Sequence, residues 1–477
     1  MMPTPRSSLA VVTAFILGLP TRTKFVLAVL SILLVSLVGV PHADFRARDP
    51  GVRGGSPGAG DPLPGLTASQ LALFQAGKDE FEEAEGVGDG LGPRFNLDGC
   101  AGCHLQPTVG GTSPIPNPQV AVATDFGARN YVPFFVRPDG PVREARFKYK
   151  PDGTRDGGVH GLFVISGRVD PTGDASGCDI RQEDFLTQAR NDNLIFRIPT
   201  PTFGAGLIEQ IPDSVIVANY AAERNRKAAL GIFGRPHRIR VTGATNANGN
   251  DGTIARFGWK AQNKSLLLFS GEAYNVEMGI SNELFQTERD ETPNCQFAPT
   301  PNNITNTDGA TGVDTLSAIE KFGFFMRFLA PPAPSPTTPG GATSIANGRA
   351  LFRSVGCALC HTPTLTTGDA AVAALGNQRV NLYSDLLLHN MGPGLADDIV
   401  QAQAGPDEFR TAPLWGLGQR IFFLHDGRTS DLPEAIHAHR SGPSARFPAS
   451  EANAVVDNFH GLSERQKQDL LNFLRSL

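Results

Sequence analysis

The stretches Cys100-Ala-Gly-Cys103-His104 and Cys357-Ala-Leu-Cys360-His361 are two copies of one short pattern, Cys-x-x-Cys-His. Two cysteines three residues apart lie about one helical turn from each other, and the histidine follows directly. This is the pattern of covalent c-type haem attachment, in which the thiols form thioethers and the histidine binds the iron. A dithiol redox site or half of a zinc site uses the same cysteine spacing. The repetition, with histidine each time, favours haem.

The sequence around both motifs predicts helices. Thr67 and Gln70 form a capping-box pattern ahead of an apolar stripe that ends at Phe81. Apolar residues also precede the second motif, at Ile345, Leu351 and Phe352. A second capping-box pattern at Ser463 opens a C-terminal helix with leucines on one face. A helix before the motif and a C-terminal helix are the minimal frame of a class I cytochrome c domain, which we predict for residues 342–477.

The two halves of the chain repeat a Gly-rich phrase after the motif. The first is Pro199-Thr-Pro-Thr-Phe-Gly204-Ala-Gly206, and the second is Thr411-Ala-Pro-Leu-Trp-Gly416-Leu-Gly418. Both lead into a helix-like stretch, at 211–216 and 432–436. We expect these glycines to let the backbone approach a large planar cofactor, although chance similarity between Gly/Pro-rich loops is the alternative.

The first half is the larger, and it contains predicted strands at 160–168, 239–242 and 253–259, of which the last two flank turn residues and predict a hairpin. We therefore predict a mainly α fold with two cytochrome c-like haem domains, the N-terminal one enlarged by loops and small β-hairpins. The predicted domains are residues 67–330 and 342–477, and the Pro-rich stretch 331–341 is predicted to link them.

The N-terminal residues predict export. Arg22 and Lys24 precede an apolar run at 25–40, and Pro41-His42-Ala43 follows. This order is typical of a signal peptide, here residues 1–43, and an uncleaved membrane anchor is the alternative. Either interpretation places the body of the protein in the periplasm or otherwise outside the cytoplasm. Residues 44–66 are predicted to form a linker.

Composition narrows the class of partner. The chain has 477 residues, a net charge of −5 and no conspicuous cluster of lysine and arginine, so we expect no nucleic-acid partner. Its 53 glycines and 37 prolines indicate long irregular connections between modest helices. Two of the six cysteines, Cys178 and Cys295, lie outside the haem motifs. They fit a structural disulfide in an oxidising compartment.

Several further phrases, together with the two motifs, resemble the bacterial di-haem oxidoreductases, often labelled thiol oxidoreductases, and more distantly the di-haem cytochrome c peroxidases. The phrases are Gly-Leu-Gly-Pro-Arg-Phe-Asn96, Phe-Gly-Ala-Gly-Leu-Ile-Glu209, Arg256-Phe-Gly-Trp-Lys-Ala261, Glu277-Met-Gly-Ile-Ser-Asn282, Phe328-Leu-Ala-Pro-Pro332, Leu388-His-Asn-Met-Gly-Pro-Gly394 and Leu424-His-Asp-Gly-Arg428. Thiol oxidation is not expected, because thiol exchange needs a free cysteine of low pKa. Here four cysteines serve haem and two are expected to pair.

The resemblance implies a division of labour between two haems. The C-terminal haem is expected to transfer electrons and to have two protein ligands, His361 and a distal residue. Leu432-Pro-Glu-Ala-Ile-His-Ala-His439 places His439 where the peroxidases have a methionine, and a histidine there would lower the reduction potential. The alternative distal ligands are His437, Met391, His389 and His425.

The N-terminal haem, on His104, is expected to open a coordination position to peroxide. An acid-base group must then move a proton between the two oxygens, and Glu209 or Gln210 is the predicted residue. A helix N-terminal carboxylate is the alternative role for Glu209. Met278 or His160 would instead cap the iron and make this haem a relay.

Other residues have a functional and a purely structural interpretation. Trp259 or Trp415 would assist electron transfer between the haems, or else both belong to the core. Arginines that would pair with haem propionates, or else are solvated, are Arg256, Arg420 and Arg428.

The resulting prediction is an exported di-haem c-type cytochrome oxidoreductase of peroxidase-like activity, which passes electrons from the C-terminal haem to the reactive N-terminal haem. The alternatives are a non-catalytic di-haem electron-transfer protein and a haem oxygenase that acts on an organic substrate. The expected partners are an external electron donor, either a small cytochrome or a copper protein, and peroxide or another small oxidant. A homodimer is implied by the resemblance alone.

Overall fold

Helices carry most of the architecture, and the fold is mainly α. The computed structural model describes residues 46–240 and 251–477. The predicted signal peptide or anchor and the middle of the predicted hairpin lie outside these residues. The helices are α1 (Ala68–Glu82), α2 (Cys100–Cys103), α3 (Gln119–Val122), α4 (Phe185–Arg190), α5 (Ala205–Glu209), α6 (Asp213–Ala221), α7 (Arg224–Ala229), α8 (Leu266–Met278), α9 (Ala318–Phe328), α10 (Gly341–Val355), α11 (Gly392–Leu395), α12 (Leu432–Ala438), α13 (Asn453–His460) and α14 (Glu464–Ser476). Short 3-10 turns lie at Asp125–Gly127, Cys357–Leu359 and Leu417–Gln419.

The strands are short and form small antiparallel sheets. They are β1 (Arg94–Phe95), β2 (Glu144–Phe147), β3 (Val159–His160), β4 (Phe163–Val164), β5 (Val169–Asp170), β6 (Gly173–Asp174), β7 (Leu194–Arg197), β8 (Arg238–Arg240), β9 (Asp251–Ile254), β10 (Leu365–Thr366), β11 (Arg379–Val380), β12 (Leu388–Asn390) and β13 (Glu408–Arg410). β2 pairs with both β3 and β7, and in the β2–β7 register Glu144 lies opposite Arg197. The predicted strand at 160–168 is divided between β3 and β4, which belong to different sheets.

One crossing of helices supports the first haem motif. α1 begins at the predicted capping box, with Thr67 as its N-cap. It packs against α9 at Gly77, where a Cβ would clash with the Lys321 carbonyl oxygen. Four residues later Phe81 lies 5.0 Å, ring to ring, from Phe325. Each phenylalanine removed from water contributes about 1.5–3 kcal/mol, so the aromatic contact stabilises a crossing that the glycine permits.

The second motif rests on a crossing of the same design. α10 packs against α14 at Gly348, where a Cβ would clash with the Asp469 carbonyl oxygen. Four residues later Phe352 lies 5.4 Å from the ring of Phe473. α14 begins at the predicted capping box on Ser463. The sequence patterns thus predicted α1, α10 and α14, but they did not reveal α9, the partner of α1.

The repeated Gly-rich phrases contact these same helices. A Cβ at Gly206 would clash with the Arg327 carbonyl oxygen on α9, and a Cβ at Gly418 would clash with the Arg475 carbonyl oxygen on α14. The echo between the halves is therefore structural. The expected reason, close approach of the backbone to a planar cofactor, was wrong. These two glycines are needed because a Cβ would clash with the backbone of a neighbouring helix.

The segments that were predicted to be linkers are hydrogen-bonded to the body of the fold. The Leu63 amide donates to the Phe328 carbonyl, and the Ala333 amide donates to the Gly58 carbonyl, each at 2.7 Å. Residues Arg48–Leu477 form one unit. Cys178 and Cys295 are joined in the predicted disulfide. No helix within residues 46–240 and 251–477 combines the length and apolarity that crossing a membrane requires.

Candidate functional site

The first candidate site is a cavity lined by Cys100, Cys103 and His104. Cys100 and Cys103 are the two ends of α2, and His104 is its C-cap. His104 Nδ1 donates to the Gly111 carbonyl oxygen at 3.0 Å, which leaves Nε2 as the nitrogen for a metal. Burial lowers the pKa of His104 to about 4, so the ring is neutral, as a ligand must be.

A pair of buried carboxyl groups, Glu144 and Glu277, lines the same cavity. Glu144 is on β2, and its carboxylate accepts from Arg146 Nε at 2.6 Å. Glu277 is on the face of α8 that borders the cavity, and Asn96 Nδ2 donates to it at 2.7 Å. Residues of α8 at helical spacing, Ala273, Tyr274 and Glu277, thus turn one face to this space.

The two carboxyl groups have divergent pKa values. Burial, together with the nearby Glu144 carboxylate, raises the pKa of Glu277 well above its usual range. Burial would also raise the pKa of Glu144, but the Arg146 guanidinium outweighs it and lowers that pKa. A hydrogen bond joins the two groups. Glu277 therefore holds a proton more tightly than Glu144 does, which is an arrangement suited to acid-base chemistry.

The predicted acid-base residues lie elsewhere. Glu209 binds Arg327 Nε at 2.8 Å and accepts from the Leu266 amide at 2.8 Å, so it ties α5 to α9 and α8. Neither Glu209 nor Gln210 is among the residues that line the His104 cavity. The assignment of Glu209 and Gln210 as distal acid-base groups was therefore wrong. The sequence signal for the carboxyl pair at this cavity was slight, because Glu277 only opens the phrase 277–282 and Glu144 stands in no motif.

Of the two predicted caps for this iron, one lies at the cavity. Met278 lines it, with Sδ 4.0 Å from Cys100 Sγ. His160 does not line it, because its ring stacks on Phe147 and its Nε2 lies 3.0 Å from Asp156.

The second candidate site is a cavity lined by Cys357, Cys360 and His361. His361 Nδ1 donates to the Tyr383 carbonyl oxygen at 3.0 Å. His439, the C-cap of α12, lines the same cavity, and its Nδ1 donates to the Ala435 carbonyl oxygen at 2.7 Å. Both rings keep Nε2 for a metal.

The three rival histidines are less suited to bind iron. His437 is exposed and lies beside His460. His389 lines the cavity, but its nitrogens are 2.9 Å from Asp385 and 2.8 Å from Glu451. His425 also lines it and stacks on Phe409 at 4.5 Å. Met391 lines it as well and remains an alternative.

One tryptophan borders both cavities. Trp259 lines the His104 cavity and the His361 cavity, and its indole N–H donates to the Ile198 carbonyl at 2.9 Å. Trp415 borders neither, and its ring packs where Gly204 turns into α5.

The side chains fit haem at both cavities. Each cavity offers two thiols and an imidazole, and burial raises the pKa of Cys357 to about 12, so this thiol is not a reactive thiolate. Arg420 is buried at the second cavity, and no carboxylate of the described residues pairs with it. At the first cavity the Nε of Arg143 is buried without a hydrogen-bond partner. A haem propionate would satisfy such arginines.

The other two arginines with predicted propionate roles have protein partners. Arg256 binds Asp213 at 2.5 Å and backbone carbonyls, and Arg428 binds Asp426.

Residues 146–477 match the family described as "Di-haem oxidoreductase, putative peroxidase". The chain belongs to this di-haem oxidoreductase family, which makes it an oxidoreductase enzyme with haem cofactors. No curated protein matches it.

Three solved structures are similar to the chain. Hydrazine synthase of Kuenenia stuttgartiensis is 16% identical with a TM-score of 0.22, and the match covers 35% of this chain and 56% of that one. A MauG-like protein associated with microbial copper homeostasis is 19% identical with a TM-score of 0.26, covering 51% and 77%. The diheme peroxidase BthA from Burkholderia thailandensis E264 is 15% identical with a TM-score of 0.29, covering 66% and 90%.

Proposed function

We propose that this chain is an exported di-haem c-type cytochrome with peroxidase-like activity, built from two cytochrome c-like haem domains. The observation that carries the proposal is the difference between the cavities. The second is lined by both His361 and His439, whereas His104 is the only histidine of the described residues at the first. Two imidazoles suit an iron that exchanges electrons, and a single one leaves a position for peroxide.

Bound through Cys100, Cys103, Cys357 and Cys360, the haems would supply electron storage at the His361 site and peroxide reduction at the His104 site. The protein side chains supply proton transfer. Glu144, whose pKa is lowered, would accept a proton from peroxide, and Glu277, whose pKa is raised, would donate one to the leaving oxygen. Arg146 supports this by stabilising the Glu144 carboxylate.

Electrons would move from the His361 site toward the His104 site, and Trp259 is the side chain placed to mediate the transfer. Its position at both cavities supports this role. The external donor would be a small cytochrome or a copper protein. Export is proposed from the apolar N-terminal run, and the disulfide between Cys178 and Cys295 is consistent with an oxidising compartment.

A non-catalytic electron carrier is the second candidate function, and Met278 is the observation that favours it. Its thioether lies at the first cavity, so it would close the open position if it bound the iron. Peroxide would then have no access.

EPR and visible spectra of the holoprotein, oxidised and half-reduced, with and without peroxide, distinguish the two functions. A high-spin haem that reacts with peroxide is the expected result. His104→Gly should abolish that reaction and spare the second haem. Two low-spin haems that ignore peroxide in both redox states would make the protein an electron carrier.

A further inference from the structure

A buried tyrosine and a buried glutamate form a hydrogen-bonded pair at the first cavity. Tyr274, on α8, is only 2% exposed and lines the cavity. Its hydroxyl donates to Glu85 Oε1 at 2.6 Å, and Glu85 is itself 7% exposed. A buried tyrosine hydroxyl needs one acceptor, and a backbone carbonyl would suffice. Burial of a second ionisable group is costly, which indicates a role beyond hydrogen-bond satisfaction.

Tyr274 is connected to His104 through two aromatic rings. Phe81 lies 5.8 Å from the His104 ring and 6.0 Å from Phe322. Phe322 lies 5.1 Å from the ring of Tyr274, edge to face. Tyr274 therefore belongs to an aromatic cluster that reaches the ring of His104, within the hydrophobic core.

Glu85 is arranged to accept a proton. No lysine, arginine or histidine of the described residues forms an ion pair with it, and the charged groups that act on it are Glu80, Glu83 and Asp89. Burial, reinforced by these carboxylates, raises the pKa of Glu85 to about 7. Lys321, a cation that acts on Glu83, forms its ion pair with Glu80 at 2.7 Å. Glu85 is thus a stronger base than an ordinary carboxylate.

We propose that Tyr274 is a redox-active residue that supplies one electron to the His104 site and passes its phenolic proton to Glu85. This inference rests on the proposed peroxidase-like function and names a further participant in it. Reduction of one hydrogen peroxide to two waters takes two electrons and two protons. Tyr274 gives one electron, its O–H bond breaks, and an O–H bond forms on Glu85 Oε1.

Reduction of peroxide also needs a second electron and two protons. The His104 site gives the second electron, and solvent gives the two protons. A phenoxyl radical stays on Tyr274 and a neutral carboxyl on Glu85. The external donor then supplies two electrons. One restores the phenolate oxygen, to which Glu85 returns its proton, and the other replaces the electron given by the His104 site. Tyr274 would therefore hold one oxidising equivalent of peroxide while the donor arrives.

Freeze-quench EPR of the holoprotein mixed with hydrogen peroxide tests the inference. The expected signal is a tyrosyl radical that narrows when the protein carries ring-deuterated tyrosine. It should be absent from Tyr274→Phe and retained in Tyr220→Phe, since Tyr220 is exposed and lies outside both cavities. Glu85→Gln keeps a hydrogen-bond acceptor but no base, and it should lower the radical yield by about tenfold or more.

The outcomes separate this inference from the proposed function. A haem Soret change on peroxide addition without any tyrosyl radical would overturn the role of Tyr274 and leave the peroxidase-like function intact. An unchanged radical in Tyr274→Phe would do the same. A holoprotein whose Soret band ignores peroxide would overturn both. If Tyr274→Phe binds haem poorly, 3,5-difluorotyrosine at position 274 replaces it, and the absence of fluorine hyperfine splitting in the radical would contradict the assignment.

Discussion

His361 and His439 line one cavity, and each ring gives its Nδ1 to a backbone carbonyl oxygen, at 3.0 Å for Tyr383 and 2.7 Å for Ala435. The hydrogen bond fixes the tautomer, so both rings present a basic Nε2. The residues are 78 positions apart in sequence, and only the packing of α12 over the second motif brings them together.

We expect His439→Ala to convert the second haem from a low-spin to a high-spin form, because it removes one of two strong-field ligands. EPR and visible spectra of the oxidised holoprotein provide the measurement. His437→Ala is the matched control, since His437 is on the same helix but exposed. An unchanged low-spin spectrum in His439→Ala would show that another residue, with Met391 first to be tested, binds the iron.

Glu277→Gln should reduce peroxide turnover by about 10²-fold or more, because it removes the proton donor of the buried pair. Haem content should stay unchanged, since glutamine still accepts from Asn96. The control is Glu209→Gln, which breaks the ion pair with Arg327 and should affect stability more than turnover. Equal turnover losses in the two variants would argue against the acid-base role of Glu277.

Trp259→Phe should slow electron transfer from the second haem to the first, because it replaces the indole that borders both cavities. Stopped-flow reduction of each haem band by a one-electron donor gives the rate. Trp415→Phe is the matched control, because Trp415 borders neither cavity. If both variants transfer electrons at the wild-type rate, the tryptophan serves only the core.

Asp397→Asn should lower the free energy of unfolding by about 3–5 kcal/mol, because two buried cations lose their partner. The Asp397 carboxylate lies 2.6 Å from Arg197 and 3.2 Å from Lys260, and all three side chains are at most 2% exposed. Urea unfolding of the holoprotein measures the change. The exposed pair of Arg137 and Asp139 provides the control, where Asp139→Asn should cost less than about 1 kcal/mol.

The same carboxylate predicts a sensitivity to acid. Burial acts to raise the pKa of Asp397, but Arg197 and Lys260 outweigh it, and the pKa in the fold is lowered. A lowered folded-state pKa gives stability that is present above the unfolded value of about 3.9 and is lost as the pH falls further. The wild type should therefore lose more stability than Asp397→Asn between about pH 4 and pH 2. Parallel losses in the two proteins would contradict this.

The sequence predicted local features well. Capping-box patterns at Thr67 and Ser463 gave the starts of α1 and α14, because a cap is decided by residues three apart. Both haem motifs could be recognised for the same reason, because each Cys-x-x-Cys-His pattern is complete within consecutive residues. The carboxyl pair at the first cavity was harder to predict, since Glu144 and Glu277 are 133 positions apart and meet only because β2 and α8 border one cavity.

By itself, the sequence predicted the class of cofactor chemistry, two candidate proximal histidines, the repeated plan of the halves and the pairing of Cys178 with Cys295, which the structure contains. Those features follow from residues that lie a few positions apart or from the number of residues of one type. The tertiary structure decided which carboxyl groups reach the first cavity, which tryptophan borders both cavities, and that Glu209 serves an ion pair. Such choices depend on how distant segments pack, because burial and the nearest opposite charge set the protonation state of each group.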